Sequence, residues 1–315
     1  MRRAWQTGMI ALARSGRARR WMQGARAASR LAGRYVAGPD ADAGVARARD
    51  LLGQGIGSSL YYLGEYVDTQ GLVAENVAAK GEIAQRLGEA GIEIHVSVDP
   101  TQIGQSLDPA LAHRNGFAVA RSIAEAPGAG PRLMMIDMED RSLVDPTIAL
   151  HDELRAAGFP VGITLQAYLR RTEADLRAQI RQGGTVRLVK GAFTAGRDVA
   201  FVTQPEIKAN HRRLIDLMLS REARDAGFRP VIATHDDRLQ DHAVARAEAA
   251  GWRRDEYEFE MLYGVRGALA ERRVREGHRM RLYLPFGRDW WPYAVRRIGE
   301  NPRNAWLLGR SLFGG

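Results

Sequence analysis

Eight short apolar runs, separated by stretches of helical periodicity, restrict the folds open to this chain more than any other feature. The runs are Ser58 to Leu63, Ile94 to Val98, Leu133 to Met138, Gly162 to Tyr168, Val186 to Val189, Val231 to Thr234, Tyr257 to Leu262 and Met280 to Leu284. Each is apolar nearly throughout rather than alternating, as a parallel strand covered on both faces must be. Helical patterns separate them at 72–90, 144–157, 172–182, 204–226 and 238–251, and 40–53 forms an earlier helix with acidic cap residues. This order predicts an α/β chain, a (βα)8 barrel over residues 53–315 preceded by a helical arm over 1–52. An open doubly wound sheet is the alternative, but it wants a glycine-rich turn after its first strand. Gly53, Gly55 and Gly57 follow a helix instead and have the wrong spacing. The longest loops are expected at 101–116 and 124–131.

Charge is distributed unevenly. Residues 1–34 hold nine arginines and no acid, while the remaining 37 basic residues balance 37 acidic ones, so the net +9 belongs to the arm. Such an arm suits an anionic lipid surface, nucleic acid or an acidic partner, and its composition also fits a targeting segment or a solvated helix. A nucleic-acid-binding protein is disfavoured because the rest of the chain is neutral and lacks a binding motif. With no cysteine there is no disulfide, thiolate site or thiol nucleophile, and the seven histidines show no metal-ligand spacing. No apolar run is long enough to span a bilayer, which points to a cytoplasmic chain, peripheral on the inner face of the membrane if the arm binds lipid.

In a barrel of this kind chemistry sits where strands end. Those positions read Glu65, Asp99, Asp137 with Glu139, Gln166 with Tyr168, Lys190, Thr234-His235-Asp236, Tyr263 and Tyr283. After the last strand, Pro285-Phe286-Gly287 breaks the chain and Asp289 opens a helix carrying Tyr293, Arg296, Arg297 and Glu300 at spacings of three and four. Two adjacent guanidiniums with a tyrosine one turn back form a grip for a carboxylate. Each residue alone has a structural account: a surface lysine, a core histidine, a helix-capping aspartate. The ring as a whole reads as a site. Only three lysines occur among 46 basic residues, so Lys190 at a strand end stands out, and a cofactor-free lyase using its amine for a Schiff base is the competing class of enzyme.

Several segments together resemble those of the proline dehydrogenase family. They are YYLGE (61–65), VSVDPTQIG (96–104), IDMED (136–140), LQAYLRR (165–171), VRLVKGAF (186–193), IATHD (232–236), FEMLYG (259–264), RLYLPFG (281–287) and YAVRRIGEN (293–301). The resemblance implies a distorted (βα)8 barrel holding FAD without a Rossmann domain. It implies oxidation of L-proline to Δ1-pyrroline-5-carboxylate by hydride transfer to flavin N5, with electrons passed to a quinone. By position, it places Arg187 near flavin N5 and Gln166, Lys190, Gly191, Ala192, Thr234 and His235 around the flavin. Asp137, Leu262, Tyr283, Tyr293, Arg296 and Arg297 would line the substrate pocket, with Glu300 behind an arginine.

Three positions depart from the family pattern. Phe193 replaces a tyrosine, and Asp236 replaces an asparagine and brings a carboxylate near the cofactor. Asp99 stands where the family has a lysine that helps to bind the substrate carboxylate. A unit charge at ~4 Å and an effective dielectric near 20 is worth up to about 4 kcal/mol. Either the arginines suffice, with Asp99 turned away or paired to one of them, or the substrate is a different cyclic amine or amino acid.

Overall fold

The computed structural model of the protein describes residues 33–64, 67–193, 195–290 and 293. Eight strands close in chain order into a parallel barrel: β1 (Gly57–Tyr62), β2 (Ile94–Val98), β3 (Arg132–Ile136), β4 (Val161–Gln166), β5 (Thr185–Val189), β6 (Arg229–Ala233), β7 (Glu258–Leu262) and β8 (Arg279–Phe286). The ring is sealed by β8 against β1, with Gly57 opposite Arg281 and Tyr62 opposite Phe286. Around it lie α1 (Ala41–Leu52), α2 (Gln70–Glu89), α3 (Pro109–Glu125), α4 (Val144–Ala156), α5 (Thr172–Arg181), α6 (Gln204–Met218), α7 (Arg221–Asp225), α8 (Asp237–Ala250) and α9 (Gly267–Arg275). The main core lies between the strands and these helices: Leu60, Val96, Met134, Ile163, Leu188 and Phe259 belong to one buried cluster with Ile83, Leu87, Ile123, Leu154 and Leu214.

The helix starts follow from side-chain oxygens that satisfy otherwise unpaired backbone N–H groups. Asp40 accepts from Ala43 N at 3.0 Å and Thr69 from Leu72 N at 3.3 Å. Thr203 and Glu206 form a reciprocal capping box at α6. Each cap is worth about 1 kcal/mol. At the other end of α8, Gly251 stops the helix in a left-handed conformation with φ 78°.

The structure corrects two expectations. Residues 101–116 are not a long loop: a 3₁₀ turn covers Pro100–Ile103, and α3 begins at Pro109. Asp108 caps α3 through Ala110 N at 2.9 Å, and Ala112, Gly116, Val119, Ala120 and Ile123 bury one face. The polar run His113-Arg114-Asn115 concealed that period. The stretch 204–226 is two helices, divided where Ser220 caps α7 through Ala223 N at 3.1 Å. Residues 41–52, grouped by sequence with the arm, pack with the barrel: Val45, Ala48 and Leu51 of α1 share a buried cluster with Leu60 of β1 and Phe286 of β8.

Ahead of α1, residues 33–38 run as a strap over the C-terminal ends of the last strands. Ala37 N donates to Pro285 O and Gly287 N to Gly38 O, both at 2.8 Å. Its Tyr35 and Val36 are buried against Tyr61 and Leu63. The strap crosses Gly264, whose φ is 77° and where a Cβ would collide with the Arg34 carbonyl oxygen. Gly264→Ala should therefore cost roughly 1–2 kcal/mol for the left-handed backbone alone and lift the strap. It should lower the melting temperature and speed tryptic cleavage after Arg34. An unchanged cleavage rate would show that the strap does not depend on this contact.

Candidate active site

The centre of the barrel is ionic. Arg187, inward-pointing on β5 and almost fully buried, donates all five of its N–H groups to protein acceptors. Nε and Nη2 clasp Glu260 of β7 side-on at 2.8 Å each. Nη1 donates to Asp137, just past β3, at 2.6 Å and to Ser97 of β2 at 3.0 Å. Nη2 also donates to Ser59 of β1 at 3.0 Å. Burial alone would favour the neutral guanidine, but Glu260 and Asp137 outweigh it, so Arg187 is held firmly as a cation. Burial pushes the Glu260 carboxyl up, and Arg187 opposes that rise.

Above this layer, towards the strand ends, Asp137 also accepts from Thr164 Oγ1 at 3.1 Å and from Tyr283 OH at 3.0 Å. The Tyr283 ring lies over the Arg187 guanidinium at 5.4 Å and beside Tyr61 at 5.1 Å. Burial, and then the Asp137 charge, push the Tyr283 hydroxyl well above its ordinary range, so it stays protonated. Tyr61 OH donates to Asp99 Oδ2 at 2.6 Å. Glu139 is oriented by Thr101 through its N–H at 2.9 Å and its hydroxyl at 2.8 Å. Asp99 is tied through Tyr61 to the tyrosine pair at the barrel mouth. Tyr293 packs in the same apolar group as Tyr61, next to Tyr283.

A second set lies at the ends of β4 to β7. Gln166 is buried; its Nε2 donates to Met138 O at 3.0 Å, while its Oε1 is buried without a hydrogen-bond partner. Tyr168 OH is likewise buried and unpartnered. Gly191, at φ 95°, passes so close to Tyr168 that any Cβ would strike its ring. His235 Nε2 accepts from Leu262 N at 2.9 Å, which puts the proton of the neutral ring on Nδ1. Thr234 Oγ1 accepts from Asp236 N at 3.2 Å. Asp236 caps α8 through Arg238 N and Leu239 N and pairs with Lys208 Nζ at 2.6 Å. Partial burial raises its carboxyl, but the Lys208 hydrogen bond prevails and holds it below the usual range. Lys190 and Ala192 are exposed on the loop after β5, and Leu262 and Tyr283 are half-buried at the ends of β7 and β8. Arg296, Arg297 and Glu300, like Glu65, lie outside the described residues.

Five partners were not singled out by sequence: Glu260, Ser59, Ser97 and the buried pair Lys80 and Gln102. Glu260 had a signal, a carboxylate between Phe259 and Met261 in the middle of a strand. The serines had none, being small residues in small-residue surroundings.

Comparison with known proteins gives consistent results. The family model described as proline dehydrogenase matches residues 45–308. Proline dehydrogenase 2 of Bacillus subtilis (strain 168) is 32% identical over 287 residues, covering 91% of this chain and 90% of its own. Proline dehydrogenase of Deinococcus radiodurans is 33% identical, covering 90% and 91% respectively. Among solved structures, proline utilization A (PutA) from Bdellovibrio bacteriovorus, inactivated by N-propargylglycine, superposes with a TM-score of 0.77 at 22% identity. PutA from Corynebacterium freiburgense gives 0.75 at 24%. These cover 90% and 98% of this chain but only 34% of the longer PutA chains, and they share its barrel fold.

Because Arg187 is the sole described cation between Asp137 and Glu260, Arg187→Met should leave two buried carboxylates uncompensated and cost roughly 3–5 kcal/mol. Adding Glu260→Gln should recover part of that loss. A double-mutant cycle in urea measures the coupling. Strict additivity would show that the pair does not hold the barrel together.

Proposed function

Because this chain belongs to the proline dehydrogenase family, we propose that it oxidises L-proline to Δ1-pyrroline-5-carboxylate, with FAD as the hydride acceptor and a quinone as the onward acceptor. The observation that carries the cofactor assignment is Gln166 Oε1, a buried acceptor with no partner in the protein and therefore suited to an N–H of a bound ring. The unpartnered Tyr168 hydroxyl and the side-chain-free Gly191 beside it add a polar group and a close-approach surface at the same strand ends. The residues fit the cofactor. When bound there, a flavin supplies a two-electron acceptor for the hydride.

The chain's own residues then have distinct tasks. Gln166 would accept from the cofactor ring, and Gly191 with Ala192 and Lys190 would give it room at the end of β5. Thr234 and His235 contribute polar groups from the end of β6. Asp236 serves this region through α8 and Lys208, so its charge is already countered. Arg187 contributes charge rather than a new hydrogen bond, since its five N–H groups are engaged; a fixed cation favours the negative charge that accumulates nearby on reduction. Leu262, Tyr283 and Tyr293 form an apolar wall for the substrate ring, and Asp137 fixes Tyr283. Arg296 and Arg297 grip the substrate carboxylate in this reading. The strap over the mouth limits entry of water.

A Schiff-base lyase draws no support from the fold, because Lys190 is exposed and an activated amine calls for a dry or cationic setting. Purified protein should be yellow, and L-proline should bleach the flavin band without oxygen. Gln166→Leu should retain the fold and lose flavin by about tenfold or more in affinity. Colourless protein trapped by borohydride in the presence of substrate would overturn the assignment.

The basic arm offers a route to the quinone. Among the described residues no helix is long and apolar enough to cross a membrane. Nine arginines at up to ~1 kcal/mol each suffice for reversible binding to an anionic leaflet. Deleting residues 1–32, which spares the strap, should abolish co-sedimentation with anionic vesicles and keep turnover with a soluble dye. Full-length protein that fails to sediment at low salt would give the arm another purpose.

A further inference from the structure

Behind Asp99 runs a chain of hydrogen bonds for which the reaction described so far has no use. Lys80 on α2 is completely buried. Its Nζ donates to Gln102 Oε1 at 2.7 Å and, more weakly, to Asn76 O at 3.4 Å. Gln102 Nε2 donates to Tyr61 OH at 3.1 Å, and Tyr61 OH donates to Asp99 Oδ2 at 2.6 Å. All three bonds point the same way, from a buried ammonium towards a carboxyl at the barrel mouth. Burying an unneeded lysine costs several kcal/mol, so the charge calls for an explanation.

The reaction has an unmet requirement. A saturated ring amine enters mainly as its ammonium, and carbon releases hydride only when the adjacent nitrogen lone pair can form the C=N bond. One proton must leave nitrogen first. Asp137 has both oxygens engaged, Oδ1 by Arg187 and Thr164 and Oδ2 by Tyr283. Glu139 accepts two hydrogen bonds from Thr101. Asp99 has one of its oxygens tied, to a tyrosine, and is only partly buried at the mouth. Given the proposed amine oxidation, on which this rests, we propose that Asp99 takes the proton from the substrate ring nitrogen, and that Lys80, Gln102 and Tyr61 position Asp99 and offset its charge.

In this step an N–H bond of the ammonium breaks and an O–H bond forms on Asp99. The nitrogen keeps the electron pair, and no oxidant is consumed. The groups around Asp99 agree with that role. Burial raises its carboxyl well above the ordinary range, Glu139 and Asp137 raise it further, and the Tyr61 hydrogen bond and Lys80 lower it. Burial lowers the Lys80 ammonium to about 7, with Asp99 and Asp137 opposing. Tyr283 of β8 stays protonated, and Arg187 of β5 spends its donors elsewhere.

The test is anaerobic flavin reduction by L-proline as a function of pH. Bleaching of the wild-type flavin at about pH 9 establishes amine oxidation by itself, and no bleaching at any pH overturns both readings. For the wild type, the second-order reduction rate should rise with pH as Asp99 loses its proton. Asp99→Asn should reduce it by roughly 30-fold or more near pH 7, the deficit shrinking to about threefold near pH 10, where the amine is increasingly unprotonated. Asp99→Glu should restore the limb. Lys80→Met should move the limb to higher pH, since removing the cation makes Asp99 harder to ionise. A loss of the same factor at every pH would overturn the proposal as a packing effect. Tighter proline binding with an unchanged profile would also overturn it, marking Asp99 as a charge that repels the substrate carboxylate.

Discussion

A guanidinium placed at the centre of a barrel is the interaction on which this molecule depends. Taking Arg187 out of water costs several kcal/mol, and only a complete set of acceptors offsets that. The set comes from four other strands or strand ends: Ser59 of β1, Ser97 of β2, Asp137 after β3 and Glu260 of β7. Ordinary barrel interiors are layered with branched apolar residues. Here the small hydroxyl side chains of β1 and β2 give the arginine room and bonds together. Below it, Arg281 of β8 repeats the device with Glu258, Glu93 and the Ser58 carbonyl. Neither the first four strands nor the last four could satisfy either arginine alone, so the network ties folding to closure of the ring.

The same arrangement orders the chemistry in layers. Charge at the centre is compensated and immobile, whereas charge at the mouth is crowded and adjustable. Asp137 belongs to both, with one oxygen on the buried arginine and the other on Tyr283. Replacing any of these groups therefore acts on stability and on the site together, and activity alone will not separate the two effects.

Sequence revealed the strands well because their signal is local. All eight apolar runs became strands, with no end shifted by more than two residues. The polar strand ends were legible for the same reason, since a barrel concentrates them by topology. What stayed hidden was long-range. Arg187 and Ser59 are 128 residues apart, and nothing near Ser59 announces an arginine. Lys80 sits in a helix pattern where a lysine usually faces water. Its burial depends on Gln102, which lies in a turn that sequence assigned to a long loop. The α3 helix was missed because its polar run interrupts the period, although Asp108-Pro109 is a sound start signal.

Residues 33–38 join two parts of the molecule that would otherwise communicate only through space. Their backbone is the last link of the arginine-rich arm, and it is also the cover over Gly264, Tyr61 and the β8 end. A pull on the arm would thus be delivered along covalent bonds to the rim of the barrel mouth.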